Sequence, residues 1–259
     1  MTVNPIFHRI GLLTGNVVLS AFEQTNVLVF GAGGVGSWCA EALARSGIGR
    51  IGIIDSDTVC ITNINRQIQA TTAVIGKPKA TLLKTRLLEI NPQARVTAWD
   101  TFFSRQNALQ FNIDNADYVI DAIDSLNHKL DLIELSQKPK LFSCMGAALK
   151  LDPTRLKVAD IWETRGCPVA RIVRAGLRKR GFKGHFNTVY SDEKLPLQIE
   201  TENPCGKECQ MCESPKTINS PGRVINGSAV TVTAVAGMIL ASMVLRDICA
   251  KHGVGSFKQ

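Results

Sequence analysis

No stretch of this sequence carries the roughly 20 unbroken apolar residues that a bilayer crossing needs. The nearest approach, AVTVTAVAGMILASMVL from Ala229 to Leu245, includes Thr231, Thr233, Gly237 and Ser242 and stops at Arg246 and Asp247. It is predicted to be a helix buried against a sheet. The opening MTVNPIFHRI lacks the basic start and apolar core of a signal peptide. A cytoplasmic location is therefore expected, and the eight cysteines are read as thiols or metal ligands rather than disulfides. Repeats and low-complexity tracts are absent too, which leaves an ordinary globular fold. Acids are the scarcer charge. Twenty-two Asp and Glu stand against 30 Lys and Arg, a net charge of +8. That balance favours an anionic partner. ATP alone does not require the excess; a polyanion such as RNA would use it.

What is present is a rhythm. Hydrophobic residues make up 45% of 259 positions, enough for a sizeable core. Residues 1–25 read as a short helical arm. NVLVF is a continuous apolar strand of the kind buried on both faces of a parallel sheet. Gly31 to Gly36 turn the chain, SWCAEALARSG has helical spacing and ends at Gly47, and RIGIIDSD is a second strand. TLLKTRLLEI predicts an amphipathic helix from Leu82 to Ile90, ended by Asn91-Pro92. RVTAWD, ADYVIDAID and PKLFSCMG are three further strands. The alternation predicts a doubly wound, mostly parallel α/β sheet. The expected division is a core over 26–150 and a C-terminal extension over 151–259. The extension carries a basic helix, a Cys-rich loop and the apolar helix, and forms one domain with the core.

Gly31, Gly33 and Gly36 spell G-x-G-x-x-G, with Gly34 inside the turn. The first glycine permits the tight turn, the second lets a phosphate approach the backbone, and the third lets helix and strand pack closely. Helix N-terminal N–H groups then face the phosphate. Asp55, with Asp57 beyond it, ends the second strand and is placed to accept hydrogen bonds from a ribose. The turn by itself does not separate a dinucleotide from ATP. The residues past the second strand do. IDSDTVCITNINRQ adds Asn63, Asn65 and Arg66, and GKPKA adds Lys77 and Lys79. Extra cations suit a triphosphate, whose charge grows on its leaving group when the α-phosphorus is attacked; Arg66 and Lys79 can neutralise it. Mg²⁺ normally shares that task and needs an oxygen ligand. Asp121 and Asp124 in VIDAIDSLNHK supply carboxylates at the ligand edge of the sheet.

Together GAGGVGSW, IDSDTVCITNINRQ, GKPKA and VIDAIDS resemble the Rossmann-like adenylation core of the ubiquitin-activating-enzyme superfamily. The resemblance covers about residues 5–150. It implies that Asn63, Arg66, Lys79 and Asp124 serve ATP and Mg²⁺. It also implies a homodimer in which an arm arginine, Arg9 here, reaches the neighbouring subunit's ATP. The second half, through LDPTRLKVADIWETRGCPVARIVRAGLRKRG, NTVYSDEKL and NGSAVTVTAVAGMILA, is similar to the tRNA threonylcarbamoyladenosine dehydratases. That implies adenylation of the threonyl carboxylate by ATP and internal attack by the carbamoyl group. AMP leaves, with net loss of water from the nucleoside. It leaves room for a sulfur-transfer or cysteine desulfurase-type protein partner.

The residues speak to RNA independently. Arg171, Arg174 and Arg178 recur at i, i+3, i+7 and share a helix face, and Lys179, Arg180 and Lys183 continue the patch. No acid interleaves between Arg165 and Lys183. Such a stripe suits a phosphate backbone.

Cysteines divide the superfamily. Cys144 lies at a strand end, where a buried thiol is the commoner fate. Some dehydratases carry a cysteine just before the apolar helix; RVINGSA here has none. Cys209-x-x-Cys212 is half of a structural zinc site, with Cys205 as a third ligand and a fourth from elsewhere; a redox-active or incidental cluster is the alternative. The sulfur-carrier activators have a second C-x-x-C pair, which this chain lacks. Activation of a ubiquitin-like sulfur carrier is therefore the runner-up reading. A nicotinamide oxidoreductase would leave Arg66 and Lys79 without a task, and an RNA-binding scaffold would make the nucleotide site a relic.

Overall fold

This computed structural model describes residues 4–194 and 226–254. Its centre is a seven-stranded sheet built on β1 (Asn26–Phe30), β2 (Arg50–Ile54), β3 (Arg95–Trp99), β4 (Tyr118–Asp121), β5 (Lys140–Cys144), β6 (Leu156–Asp160) and β7 (Asn187–Ser191). The strand order is β3-β2-β1-β4-β5-β7-β6, and every pairing is parallel except β6 with β7. The direction of winding reverses between β1 and β4. That switch point, beyond the C-terminal strand ends, is where open α/β sheets hold their ligands. The two strands added after residue 150 extend the same sheet.

Successive side chains of a strand face opposite ways. Val27, Val29, Ile51 and Ile53 face one layer; Leu28, Phe30 and Val119 face the other. The first layer holds α1 (His8–Gln24), α2 (Gly36–Arg45), α3 (Lys79–Ile90) and α6 (Val230–Lys251). The second holds α4 (Leu126–Leu135), α5 (Pro168–Lys179), Phe103 from the segment after β3 and the 3₁₀ turn that ends at Phe111. Helix α1 is broken at Gly15, which adopts φ +80°.

The apolar stretch that prompted the membrane test lies on the sheet. Val232, Ala236, Leu240 and Val244 of α6 are fully buried, the last three in the first layer. A Cβ on Gly237 would stand 2.4 Å from the Val35 carbonyl oxygen, so a glycine there lets α6 cross the start of α2 closely. The helix also runs past the apolar stretch. Asp247 accepts the Tyr118 hydroxyl at 2.7 Å and pairs with Lys140 and Lys251.

Two of the boundaries that differ from the sequence expectation bear on the site. Helix α3 begins at Lys79 rather than Leu82, because Pro78 sets the turn and the Lys79 N–H donates to the Asp57 carbonyl at 2.9 Å. Strand β4 ends at Asp121 rather than running to Asp124. The Ile123 N–H folds back onto the Asp121 carboxylate at 3.1 Å and bends the chain out of the sheet.

Candidate functional site

The β1–α2 connection is shaped by absent side chains. Gly31 has φ +93°, and a Cβ there would sit 2.7 Å from the Ala122 carbonyl oxygen. A Cβ on Gly36 would fall 1.8 Å from the Gly31 carbonyl oxygen, which no relaxation accommodates. A Cβ on Gly33 would meet nothing within 4 Å. The first and third glycines are therefore required for packing, while the second faces open space. No side chain caps the N-terminus of α2. The Ser37 N–H turns back to the Gly33 carbonyl at 3.1 Å, and the positive end of the helix dipole favours an anion there.

Ala32, within the turn, is gripped at both ends of its peptide unit. Its N–H donates to Asp55 Oδ2 at 2.6 Å, and its carbonyl accepts from Gln69 Nε2 at 2.8 Å. Asp55 Oδ1 accepts the Asp57 N–H at 2.8 Å. Each carboxylate oxygen keeps another lone pair for a ribose hydroxyl. Burial pushes the Asp55 carboxyl above its ordinary value. Asp57 in turn pairs with Lys79 at 2.8 Å, and Lys79 is buried at the first turn of α3.

The β2–α3 loop lies over the glycine turn. Gly34 sees the Arg66 stem, with Cγ 3.2 Å from where its Cβ would be, and Thr233 of α6 at the same distance. Arg66 Nη1 donates to the Thr62 carbonyl at 2.8 Å and to Asn65 Oδ1 at 2.9 Å. Trp38 Nε1 donates to the Arg66 carbonyl at 3.0 Å and ties the loop to α2. Burial lowers the Arg66 guanidinium from its ordinary value, so its charge lacks full hydration, and a phosphate can replace the missing water. Asn63 is buried and spends Oδ1 on the Cys60 N–H at 3.1 Å, shaping this loop. Asn65 Nδ2 reaches the Ser228 carbonyl at 2.9 Å, which brings residues 226–229 to the rim.

Of the two β4-edge aspartates, the structure separates the roles that the sequence left together. Asp121 is fully buried, with Lys129 Nζ at 2.7 Å and Ser143 Oγ at 2.6 Å on Oδ2. Its lone pairs are occupied inside the core, so the reading of Asp121 as a Mg²⁺ carboxylate is corrected. Asp124 is exposed in the loop beyond the strand, the same loop whose Ala122 presses on the glycine turn. An exposed carboxylate at this edge of the sheet is the ligand type that suits Mg²⁺, which takes one or two carboxylates plus substrate phosphates. Among the described residues no three His, Cys, Asp or Glu side chains converge on one metal position.

Arg9 is exposed on α1, in the company of exposed Leu12, Leu13 and Val17. Cys144 is buried, and burial pushes its thiol up to about 12, which leaves it protonated and unreactive. Cys205, Cys209 and Cys212 lie outside the described residues.

Helix α5 is more heavily engaged than its sequence implies. Arg171 and Lys179 are exposed. Arg174 donates to the Thr164 carbonyl at 2.8 Å. The Arg178 guanidinium lies 5.5 Å from the centroid of the Trp162 ring, a cation–π contact. Arg180 pairs with Asp131 at 2.7 Å and Glu134 at 3.2 Å. Acids are absent along the stripe in sequence, but α4 delivers them in space.

Sequence reasoning missed Gln69 and the Lys129–Ser143 support of Asp121. It also left Gln67 unassigned, although that residue ends the N-x-x-R-Q run. The Oε1 atoms of Gln67 and Gln69 are buried without a hydrogen-bond partner among the described residues. No local pattern marks Gln69 or Lys129; each is found only by what lies across the turn or the sheet.

The switch point of the sheet, the glycine turn, half-buried Arg66 and buried Lys79 define a nucleotide-binding α/β protein. The chain belongs to the ThiF family, which it matches over residues 9–258. It is 39% identical to the tRNA threonylcarbamoyladenosine dehydratase of Bacillus subtilis (strain 168), across 93% of this chain and 94% of that protein. The structure is similar to the crystal structure of the E. coli tRNA N6-threonylcarbamoyladenosine dehydratase in complex with ATP. That match has a TM-score of 0.81 at 34% identity and covers 98% and 99% of the two chains. A sulfur carrier protein adenylyltransferase of Thermus thermophilus is 34% identical over only 48% of this chain.

Proposed function

We infer that this chain is an ATP-dependent enzyme that dehydrates N6-threonylcarbamoyladenosine in tRNA. The carrying observation is similarity to dehydratases along nearly the whole chain, including the strands and basic helix after residue 150. Similarity to the sulfur-carrier adenylyltransferase reaches only about half of it, which disfavours the runner-up.

The chemistry starts from a poor electrophile. A threonyl carboxylate oxygen attacks the α-phosphorus of ATP, and the bond to pyrophosphate breaks. The carbamoyl group of the same nucleoside then attacks the activated carbonyl carbon, and AMP departs as the carbamoyl group loses its proton. Ring closure is intramolecular, so no protein nucleophile is required. The nucleoside is lighter by one water. Arg66 and Lys79 take up the charge that moves onto pyrophosphate, and Asn63 shapes the loop that carries Arg66. Gly33 admits the phosphates, Gly31, Gly34 and Gly36 shape the turn, and Asp55 holds the ribose. Asp57 orients Lys79. Asp124 would hold Mg²⁺, which would supply further neutralisation of the triphosphate.

The protein acts as a homodimer in this reading, with Arg9 of the arm serving the neighbouring site. The exposed apolar side chains of α1 support it: Leu12 and Leu13 are 75% and 81% exposed. Residues 1–25 are the arm, 26–150 the adenylation core, and 151–259 an extension forming one domain with the core. The addition of β6 and β7 to the core sheet supports that division. Arg171, Arg178 and Lys179 contact tRNA, with Arg174 and Arg180 holding the helix in place.

The test is mass spectrometry of tRNA nucleosides after incubation with the protein and ATP. A product lighter by one water is expected. An unchanged nucleoside, together with pyrophosphate exchange that depends on a sulfur-carrier protein, would replace this reading with the runner-up.

A further inference from the structure

A cavity of about 310 Å³ opens at the edge of the sheet opposite the glycine turn, between the end of α4, the start of β5 and the α5–β7 connection. Its apolar lining includes three aromatic rings, Phe142, Phe182 and Phe186, beside Ile133, Pro139 and Leu141. Its polar lining includes Asp160, His185 and Asn187. The wall is built rather than incidental. A Cβ on Gly184 would lie 2.6 Å from Phe182 Cζ, so the ring rests on glycine backbone. Trp162 Nε1 donates to the Gly184 carbonyl at 2.9 Å, and the Ile161 N–H donates to the Phe186 carbonyl at 3.0 Å. Asp160 Oδ2 lies 3.1 Å from His185 Nδ1.

This wall is continuous with the basic helix. Arg178 stacks on Trp162, the same ring that holds Gly184. The start of α5 stands at the catalytic edge: a Cβ on Gly146, just past β5, would lie 2.7 Å from Val169 Cγ2. Its end stands at the cavity. Twelve residues of helix separate the two edges, about 18 Å at the α-helical rise. A strand of RNA tracking α5 from the reacting nucleoside would therefore arrive at an aromatic cavity. Exposed Lys179 and Lys183 lie beside its path. Flat apolar surfaces below a rim of donors and acceptors match the two faces and the polar edge of a base.

We propose that this cavity receives an unstacked nucleobase of the tRNA whose modified nucleoside occupies the catalytic edge, as a second anchoring point remote from the chemistry; the proposal rests on the dehydratase reading. Asp160 and Asn187 offer an acceptor and an amide to the edge of the base, and Phe182 offers its ring face.

The experiment measures tRNA dissociation constants over a salt series for the unaltered protein and for Phe182→Ala, His185→Ala and Lys183→Ala. Loss of a base-stacking surface in Phe182→Ala is expected to weaken binding about tenfold at every salt concentration. The slope against salt stays unchanged, because stacking releases no counterions. Lys183→Ala lowers that slope by about one. Turnover at saturating tRNA, and ATP binding, stay as in the unaltered protein for Phe182→Ala and His185→Ala. His185 is 72% exposed in its side chain, so His185→Ala decides the matter if loss of Phe182 unsettles the fold; about a threefold loss is expected there, a smaller share than a lost stack. Unchanged affinity in both variants, in a protein that still dehydrates tRNA, overturns the cavity proposal alone. Failure of the unaltered protein to bind tRNA overturns this proposal and the dehydratase reading together.

Discussion

Lys129 Nζ sits 2.7 Å from Asp121 Oδ2 in a part of the core that water does not reach. The ammonium group also donates to the Cys144 carbonyl at 3.0 Å, and Ser143 Oγ donates to the same carboxylate oxygen. The pair lies directly beneath the loop that carries Asp124. Breaking a buried ion pair costs more than replacing both partners, because the survivor is left charged and unpaired. Lys129→Met is therefore expected to destabilise the fold by about 3–5 kcal/mol. Adding Asp121→Asn, which keeps an acceptor for the Ile123 N–H, is expected to restore most of that loss. Urea unfolding of the two variants checks the sign of the difference.

Arg66 and Lys79 are expected to act on the nucleotide, not on RNA. Arg66→Ala and Lys79→Met should each slow ATP-dependent adenylation by about 10²–10³-fold, the usual scale for removing one preorganised charge-stabilising donor. Binding of tRNA should remain nearly intact. Filter binding alongside pyrophosphate release separates the two, and parallel loss of both would show that these residues were misassigned.

The glycines of one turn should respond differently to the same added methyl. Gly33→Ala places its Cβ in open space, so thermal stability should hold while ATP affinity falls. Gly36→Ala drives its Cβ to 1.8 Å from a carbonyl oxygen, and loss of the folded state is expected. Calorimetry of ATP binding and a thermal melt tell them apart.

Glu41 joins α2 to α3 by accepting from Arg45 Nη2 at 2.7 Å and Arg86 Nη2 at 3.0 Å. Burial alone would raise its carboxyl, but the two guanidinium groups outweigh burial and hold it below its ordinary value. A carboxyl lowered by folding contributes stability above its unfolded value, near 4.5, and loses it as pH falls through the folded value. The stability gap between the unaltered protein and Glu41→Gln is therefore expected to be full at neutral pH and to shrink below about pH 4.5. Urea midpoints measured between neutrality and acid test this; a gap that widened in acid would refute it.

Cys144 should be dispensable for chemistry. Its buried thiol is expected to resist alkylation in the folded protein and react only after unfolding. Cys144→Ala should retain turnover. Loss of turnover without loss of stability would argue for a thiol-dependent step.

The strands and the glycine turn were legible because their signals are local. NVLVF and RIGII are unbroken apolar runs, and runs of that kind are stable only between two covered faces. Gly31 and Gly36 must be glycine whatever surrounds the domain, since the clash each avoids involves the backbone of the same turn or of the loop just beyond β4. Arg66 and Lys79 stood out as cations because both follow the second strand, and the structure places them between the end of β2 and the first turn of α3.

Partners across the sheet were not legible. Asp121 and Asp124 are the same residue type three positions apart, and nothing in their spacing says that one is sealed beneath Lys129 while the other is exposed. Arg174 and Arg180 look like free cations in the chain, yet Thr164 and the acids of α4 occupy them in the fold. Gln69 reaches Ala32 over an intervening strand and loop, and no motif announces it. Periodicity and turn chemistry act between neighbours in the chain, so they specify elements and the bends between them. Which charges are neutralised, which carboxylate is sealed and which exposed, and which aromatic rings close on a cavity depend on how layers dock, and burial settles that only after the chain has folded.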